Sequence, residues 1–329
     1  MAKDQPQAAL VGTPQNPVPI GGKVGMLDLS RRFHKVHVRY AIWPSALRER
    51  HGTVCIFQGR TEFIEKYFEV VGELRRRGFA VATLDWRGQG GSTHLCFNRL
   101  KGHVRSFDDY SADIFKLMNE VVLPDCPPPY YVLGHSMGGA IALKAATMRG
   151  SWFDRMVLTG PMLGVEQLPV SPGLTGAVAK GLSLTGFSRV AVPGGMKMYR
   201  QTQHFDGNPL TSDAERFARN LSVIKTAPEL EIGPPTFGWL SAAFKIMGEL
   251  AHDDFPKQLR VPVLMVAAGN DAIVSNKAIE RLAERLKIGD KIVLPGARHE
   301  ILQEKDSIRQ EFWAAFDAFI PGAKLKVAV

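Results

Sequence analysis

The sequence has few of the features that mark disulfide-rich, membrane-spanning or exported proteins. Its three cysteines, Cys55, Cys96 and Cys126, are widely spaced among 329 residues, so neither a disulfide framework nor a CxxC metal site is indicated. No apolar run approaches the roughly 20 residues that a membrane-spanning helix needs. The first 23 residues contain prolines and polar residues where a secretory signal would carry its apolar segment. We therefore expect an unexported, cytoplasmic protein with a flexible N-terminal arm over residues 1–23.

The sequence also lacks a convincing nucleotide-binding loop. The glycine cluster "LDWRGQGGS" follows a strand-like run, but Thr93 stands where G-x-G-x-x-G requires its last glycine, and no Walker lysine follows. We interpret Asp85 and Arg87 within it as side chains that brace nearby turns.

Positive charge exceeds negative charge, with 41 Lys and Arg against 32 Asp and Glu, a net +9. Part of it lies in two short clusters, at residues 31–35 and 75–77. This charge is consistent with a solvated basic surface, or with peripheral contact at the anionic inner face of a membrane or with anionic substrates. We find no nucleic-acid reading module and expect no nucleic-acid partner.

Short apolar runs alternate with amphipathic segments along most of the chain. Most runs are continuously apolar, which is typical of strands covered on both faces. The predicted strands are Val36–Trp43, Thr53–Gln58, Phe79–Trp86, Tyr130–Gly134, Met156–Thr159, Val261–Ala268 and Lys291–Leu294. The predicted helices are Glu62–Arg77, Phe107–Val122, Ser136–Met148, Asn276–Leu286 and Lys305–Ile320. This alternation predicts an α/β fold with a mainly parallel central sheet and helices on both faces.

One region interrupts the alternation. Residues 162–256 contain no comparable strand, and "TSDAE" at 211–215 has the cap and first-turn residues of a helix through Leu221. We predict a helical cap at 162–256 inserted into a core formed by 24–161 and 257–329. In open α/β sheets such an insertion would lie over the carboxyl ends of the strands, where ligands bind.

The motif "GHSMG", at 134–138, follows a predicted strand and precedes a predicted helix. A serine between glycines can be a small residue in a tight turn. In a strand–turn–helix context, however, the motif is typical of a nucleophile elbow, in which glycines avoid clashes and the strained turn exposes the serine Oγ. We therefore predict Ser136 as a nucleophile.

A serine nucleophile needs a general base, and the base needs an acid that orients it. His299 follows the last predicted strand and Asp271 follows the strand before it. Both would thus lie at the sheet edge that holds the serine, whereas His135, adjacent to Ser136, should point away from it. The alternative interpretations are a solvated loop histidine and an ordinary turn aspartate. We predict that His299 is the base and that Asp271 is the acid.

Acyl transfer also needs donors for the developing oxyanion. We predict the backbone N–H of Met137 as one donor. The second is the backbone N–H of Arg60, which Gly59 would direct at the site. The Arg60 side chain could be solvated or could contact a substrate phosphate.

These motifs, together with "QGRTEFIEKY", "GHVRSFDDY", "GNDAIVSNKA", "ARHEILQE" and "GPPTFGWL", resemble the α/β-hydrolase superfamily, in particular its bacterial lysophospholipase and monoacylglycerol lipase group. The likeness runs from about Arg32 onward. It implies an α/β-hydrolase fold and hydrolysis of lipid esters through an acyl-enzyme, without metal or organic cofactor. One departure is Gln58, because many relatives have a His-Gly pair at this loop.

Other functions remain open from the sequence. A general carboxylesterase would use the same triad, and a catalytically silent binding protein would keep the fold without the chemistry. Epoxide hydrolases and haloalkane dehalogenases of similar fold use an aspartate nucleophile, so Ser136 argues against them.

Overall fold

The computed structural model describes residues 8–32, 34–148, 151–166 and 171–323. Within them, an eight-stranded sheet has the order β1-β2-β4-β3-β5-β6-β7-β8. Its strands are β1 (Lys23–Asp28), β2 (His37–Trp43), β3 (Thr53–Phe57), β4 (Ala80–Leu84), β5 (Tyr130–His135), β6 (Phe153–Thr159), β7 (Val263–Ala268) and β8 (Gly289–Leu294). The pairs β1–β2 and β2–β4 are antiparallel, and the remaining pairs are parallel. The prediction of a mainly parallel sheet is confirmed.

The described helices surround the sheet. They are α1 (Phe68–Arg76), α2 (Phe107–Leu117), α3 (Leu123–Asp125), α4 (Met137–Ala146), α5 (Pro172–Leu182), α6 (Gly195–Gln201), α7 (Ala214–Thr226), α8 (Phe237–Ala251), α9 (Phe255–Gln258), α10 (Asn276–Ala283) and α11 (Asp306–Phe319). Short 3₁₀ turns occur at Ile64–Tyr67, Pro228–Leu230 and Ile301–Gln303, and π-helical turns at Met118–Val122 and Ser183–Phe187. No helix in the described residues is both long and apolar enough to cross a membrane.

Two elements differ from the sequence-based prediction. Strand β1 was not predicted, because it is a partly exposed edge strand without a continuous apolar run. The predicted helix over 62–77 instead begins with the 3₁₀ turn at Ile64–Tyr67, and α1 starts only at Phe68. Two buried charges in that first turn, Glu65 and Lys66, have partners outside the helix, which fix the local backbone.

The alternation of side chains along each strand divides the core into two layers. Cys55 and Phe57 of β3 join the cluster that contacts α2, α4, α8 and α10, whereas Val54 and Ile56 join the cluster beneath α1 and α11. Both faces of the central strands are therefore covered, which explains their continuously apolar sequences.

The segment 162–256 enters between two neighbouring strands, β6 and β7. Its described regular elements are helices and helical turns, and α8 packs against α4 and α2 of the core. The predicted helix start at 211–215 is close to the observed one, because Asp213 caps α7 by accepting from the Arg216 N–H at 2.8 Å. The limits of this segment as a separate cap remain a prediction.

Much of the predicted N-terminal arm contacts the core. Asn16 is 3% exposed, and its side-chain amide donates to the Glu65 carbonyl at 2.8 Å. The Trp43 indole N–H donates to the Pro19 carbonyl at 3.0 Å. Residues 1–7 of the arm lie outside the described residues.

Candidate active site

Ser136 occupies a strained turn between β5 and α4. Its φ of 49° and ψ of −117° lie in a region that non-glycine residues rarely adopt and that costs about 1–3 kcal/mol. A Cβ at Gly138 would lie 2.0 Å from the Phe57 carbonyl oxygen, and one at Gly134 would lie 3.0 Å from the Gly139 Cα. The glycines are therefore required by close backbone contacts, and the turn has the geometry of a nucleophile elbow.

The structure brings together the three residues predicted as a triad. His299 Nε2 is 3.0 Å from Ser136 Oγ, and His299 Nδ1 is 2.8 Å from Asp271 Oδ2. Each residue follows the carboxyl end of a parallel strand, namely β5, β7 and β8, so the sheet itself places them at one edge. Ser136 and His299 are 8% and 5% exposed, respectively.

The loop after β7 fixes the Asp271 carboxylate. Its Oδ1 accepts from the N–H groups of Ile273 and Val274 at 2.8 and 2.9 Å, which leaves Oδ2 for His299. Burial acts to raise the pKa of Asp271, but the hydrogen bond from His299 and these two N–H groups outweigh it and hold the pKa below its usual value. Asp271 therefore stays ionised and can stabilise an imidazolium.

The ring of His135 packs against the ring of His299, the candidate base, and does not face Ser136. Its ring centroid lies 4.8 Å from that of His299, and its Nδ1 is 3.1 Å from the Thr159 carbonyl oxygen. Burial lowers the pKa of His135 to about 4. A neutral ring therefore lies beside His299 and adds no competing positive charge near neutral pH.

The two predicted oxyanion donors flank the elbow. Met137 is the first residue of α4, where backbone N–H groups have no acceptor within the helix. On the other side, the Gly59 N–H donates to Glu62 Oε2 at 2.5 Å and the Thr61 N–H donates to Gln89 Oε1 at 3.2 Å. Side chains thus hold the loop on both sides of Arg60.

Gln58, the residue that departs from the family pattern, faces the neighbouring strand rather than the serine. Its side-chain amide donates to the Leu84 carbonyl and to Asp85 Oδ1. Asp85 also accepts from the Gly91 N–H at 2.8 Å and from Arg39 Nε at 2.7 Å. These bonds agree with the interpretation that Asp85 braces the turns around the site.

Sequence reasoning missed a buried ionic cluster that joins the oxyanion loop to the histidine loop. Lys66 Nζ lies 3.0 Å from Glu62 Oε1 and 2.6 Å from Glu300 Oε1. Glu62 holds the Gly59 N–H, and Glu300 is adjacent to His299. Burial acts to raise the pKa of Glu62, but Lys66 outweighs it and the pKa falls to about 2. The i,i+4 spacing of Glu62 and Lys66 was the available signal.

The Arg60 side chain extends beneath the 162–256 segment. Its guanidinium donates to the Gly233 carbonyl and lies 5.1 Å from the centre of the Trp239 ring. Burial lowers its pKa to about 10, so it stays charged near neutral pH. No carboxylate in the described part of the chain lies within ion-pair distance of it.

Comparison with known proteins supports the same family along most of the chain. Residues 48–306 match the Hydrolase_4 family, described as serine aminopeptidase, S33. The chain is 31% identical to lysophospholipase L2 of Escherichia coli (strain K12), over 83% of this chain and 81% of that protein. It is 27% identical to the monoacylglycerol lipase of Mycolicibacterium smegmatis, over 82% and 89%.

Among solved structures, a soluble variant of the monoglyceride lipase of Saccharomyces cerevisiae aligns with a TM-score of 0.70 and 20% identity. The alignment covers 94% of this chain and 99% of that chain. At this identity the likeness shows the fold. Combined with the family match, it shows that the chain belongs to the Hydrolase_4 (serine aminopeptidase, S33) family of α/β-hydrolases.

Proposed function

We propose that the protein hydrolyses the carboxylic ester of glycerol lipids and that its principal substrates are lysophospholipids. The observation that carries the proposal is the continuous arrangement Ser136–His299–Asp271, with contacts of 3.0 and 2.8 Å, on an elbow that only glycine neighbours permit. This arrangement can activate a serine hydroxyl, which is a weak nucleophile by itself.

In the acylation step, Ser136 Oγ attacks the acyl carbonyl carbon while His299 Nε2 takes the hydroxyl proton. The carbonyl oxygen becomes an oxyanion that accepts from the N–H groups of Met137 and Arg60. Asp271 holds the proton on His299 Nδ1 and stabilises the imidazolium. When the tetrahedral intermediate collapses, the bond to the glycerol oxygen breaks, and His299 Nε2 gives its proton to that oxygen.

In the deacylation step, water takes the place of the alcohol. His299 removes a proton from the water, whose oxygen attacks the acyl-enzyme carbonyl. Collapse of the second intermediate returns the proton to Ser136 Oγ and releases the fatty acid. Neither step calls for a metal or organic cofactor.

The choice of lysophospholipids over monoacylglycerols rests on two features. The similarity to a lysophospholipase L2 is higher than that to a monoacylglycerol lipase, at 31% against 27% identity. Arg60 adds a half-buried guanidinium next to the proposed oxyanion hole, where a lysophospholipid brings a phosphate. Monoacylglycerol hydrolysis is the second candidate, because the triad does not distinguish the two esters.

A hydrolysis panel tests the proposal. The wild-type enzyme should release fatty acid from lysophospholipids with a higher kcat/KM than from monoacylglycerols of the same chain, and from both faster than from short, water-soluble esters. A preference for short esters would instead assign a general carboxylesterase.

Active-site substitutions test the chemistry independently of the substrate. Ser136→Ala and His299→Ala should each lower kcat by about 10⁴–10⁶, and a fluorophosphonate probe should label the wild type but not Ser136→Ala. An unlabelled wild type would identify a catalytically silent protein, and an unchanged rate for His299→Ala would reject this residue as the base.

We also propose cytoplasmic placement with peripheral contact at an anionic membrane surface. Lysophospholipids and monoacylglycerols partition into bilayers, so an enzyme that acts on them gains access by residing there. The excess of 41 Lys and Arg over 32 Asp and Glu favours attraction to anionic lipid.

A further inference from the structure

A large groove lies apart from the triad. Its volume is about 1730 Å³. One wall is formed by α5, the turn after it and α8. Other lining residues come from 29–31 and 34–36, from the segment 87–109 and from α10. Of the described residues that line it, none belongs to the triad. We call it the basic groove, because of the charges described next.

The basic residues of the protein are concentrated in the lining of the basic groove. Ten Lys and Arg residues line it, and the one acidic residue among its described lining is Asp109. The formal charges of the lining residues thus sum to +9, equal to the net charge of the whole chain. The rest of the chain has 31 basic residues, from 41 less ten, and 31 acidic residues, from 32 less one. A generally basic surface would spread the excess instead.

Most of these cations have no ion-pair partner among the residues that the structure describes. Seven of the ten form no ion pair with a carboxylate of the described residues, whereas Arg87, Lys245 and Arg285 do. Examples without an ion pair among the described residues are Arg31, Arg105, Lys180 and Arg189. Like charges that line one concave surface repel, and they raise the local concentration of anions. The unpaired cations therefore favour binding of an anionic ligand in the groove.

An apolar surface adjoins the charges. Leu174 and Val178, four residues apart on α5, are 53% and 51% exposed, and Leu184 and Phe187 in the turn after α5 are 77% and 51% exposed. Lys180 lies between these pairs in the sequence. Exposed large apolar side chains beside unpaired cations are typical of surfaces that rest in the headgroup region of an anionic bilayer. A nucleic acid would match the charges but not the apolar residues.

We propose that the basic groove binds the phosphate groups of anionic phospholipids and thereby seats α5 and the turn after it on an anionic bilayer. This inference deepens the proposed function and rests on it, since it supplies the membrane contact that lipid substrates require. It assigns the contact to a surface separate from Ser136.

Vesicle cosedimentation of the full chain tests the inference. Vesicles of phosphatidylcholine alone are compared with vesicles that contain about 30 mol% phosphatidylglycerol, an anionic fraction sufficient for polybasic attraction. The wild type should bind the anionic vesicles at least about 10-fold more strongly. The triple variant Arg105→Gln/Lys180→Gln/Arg189→Gln should lose about 100-fold of this binding, because each basic residue near an anionic surface contributes a factor of about five.

A matched variant controls for net charge. Lys23, Lys225 and Lys305 are exposed and lie outside the groove, and their triple substitution by glutamine removes the same charge. This control should keep vesicle binding within about 3-fold of wild type. Both triple variants should hydrolyse a water-soluble p-nitrophenyl ester at rates close to wild type, which shows that they are folded.

Three outcomes would overturn the inference: equal loss in both triple variants, equal binding to neutral and anionic vesicles, or binding to duplex DNA that the groove variant loses while vesicle binding persists. The last would assign the groove to nucleic acid. Failure of the proposed function is distinguishable, because an enzyme that hydrolyses no glycerol lipid would refute that proposal whatever the vesicles show.

Discussion

Replacing Lys66 by methionine tests whether the buried ionic cluster supports the active site. Lys66 is 7% exposed and lies between Glu62 and Glu300, which are 3% and 7% exposed, at 3.0 and 2.6 Å. Methionine keeps most of the side-chain volume but removes the charge. Two buried carboxylates would then face each other without a cation.

The expected loss of stability follows from these distances. At an effective dielectric constant of about 20, each contact of about 3 Å contributes roughly 5 kcal/mol of Coulomb energy. Desolvation of the ions offsets part of this sum. We expect Lys66→Met to lower the free energy of unfolding by about 3–5 kcal/mol, as observed when one partner of a buried pair is removed.

The pH dependence of this loss has a definite sign. Burial already raises the pKa of Glu300 in the wild type, partly offset by Lys66, and loss of Lys66 in the variant raises this pKa further above its unfolded value. The folded variant then binds a proton that the unfolded chain does not, so its stability falls as pH rises through that raised pKa. The deficit relative to wild type should therefore be larger near about pH 8 than near about pH 5.

Urea unfolding at both pH values measures the effect. The matched control is Lys116→Met, because Lys116 and Glu120 form an i,i+4 pair that is 32% and 51% exposed; this change should cost less than about 1 kcal/mol. The double variant Lys66→Met/Glu300→Gln should lose clearly less than the sum of its two single variants. Equal costs for Lys66→Met and Lys116→Met, or additive costs in the double variant, would refute the reasoning.

Three further predictions concern the site. Gly138→Ala should lower kcat by more than about 100-fold, because the added Cβ would lie 2.0 Å from the Phe57 carbonyl oxygen. The control is Gly248→Ala in α8, where an added Cβ meets nothing within 4 Å. It should keep the wild-type rate, and its free energy of unfolding in urea should rise by about 0.5–1 kcal/mol. In wild type, lowering the pH from 6.5 towards 4 should lower the free energy of unfolding by on the order of 3 kcal/mol through His135. The reason is that His135 takes up a proton in the unfolded chain over this range but stays neutral in the folded protein, where burial lowers its pKa to about 4. His135→Gln should flatten this acid slope in urea unfolding, and an unchanged slope would contradict the assignment. Arg60→Met should lower the ratio of kcat/KM for a lysophospholipid to that for the matching monoacylglycerol by about 10-fold or more; an equal loss on both substrates would give Arg60 a purely structural role.

The parts of the fold that depend on local sequence were largely predictable. The inner strands β3, β4, β5, β6 and β7 appear as apolar runs because both faces of a central parallel strand are buried. The exceptions have physical reasons. Strand β1 is a partly exposed edge strand. The helix predicted from Glu62 begins instead with a 3₁₀ turn, in which Glu65 and Lys66 bind Arg39 and Glu300 outside the helix.

The sequence alone determined the elbow and the chain order of the triad candidates. The "GHSMG" pattern is a local steric requirement, and Asp271 and His299 each follow a strand, so the convergence of parallel strand ends suffices to place them near Ser136. Tertiary structure decided what lies around them. Lys66 meets Glu300 across 234 residues of sequence, and the cations of the basic groove come from segments between Arg31 and Arg285. Such contacts depend on how helices pack on the sheet, and neither periodicity nor motif spacing encodes that packing.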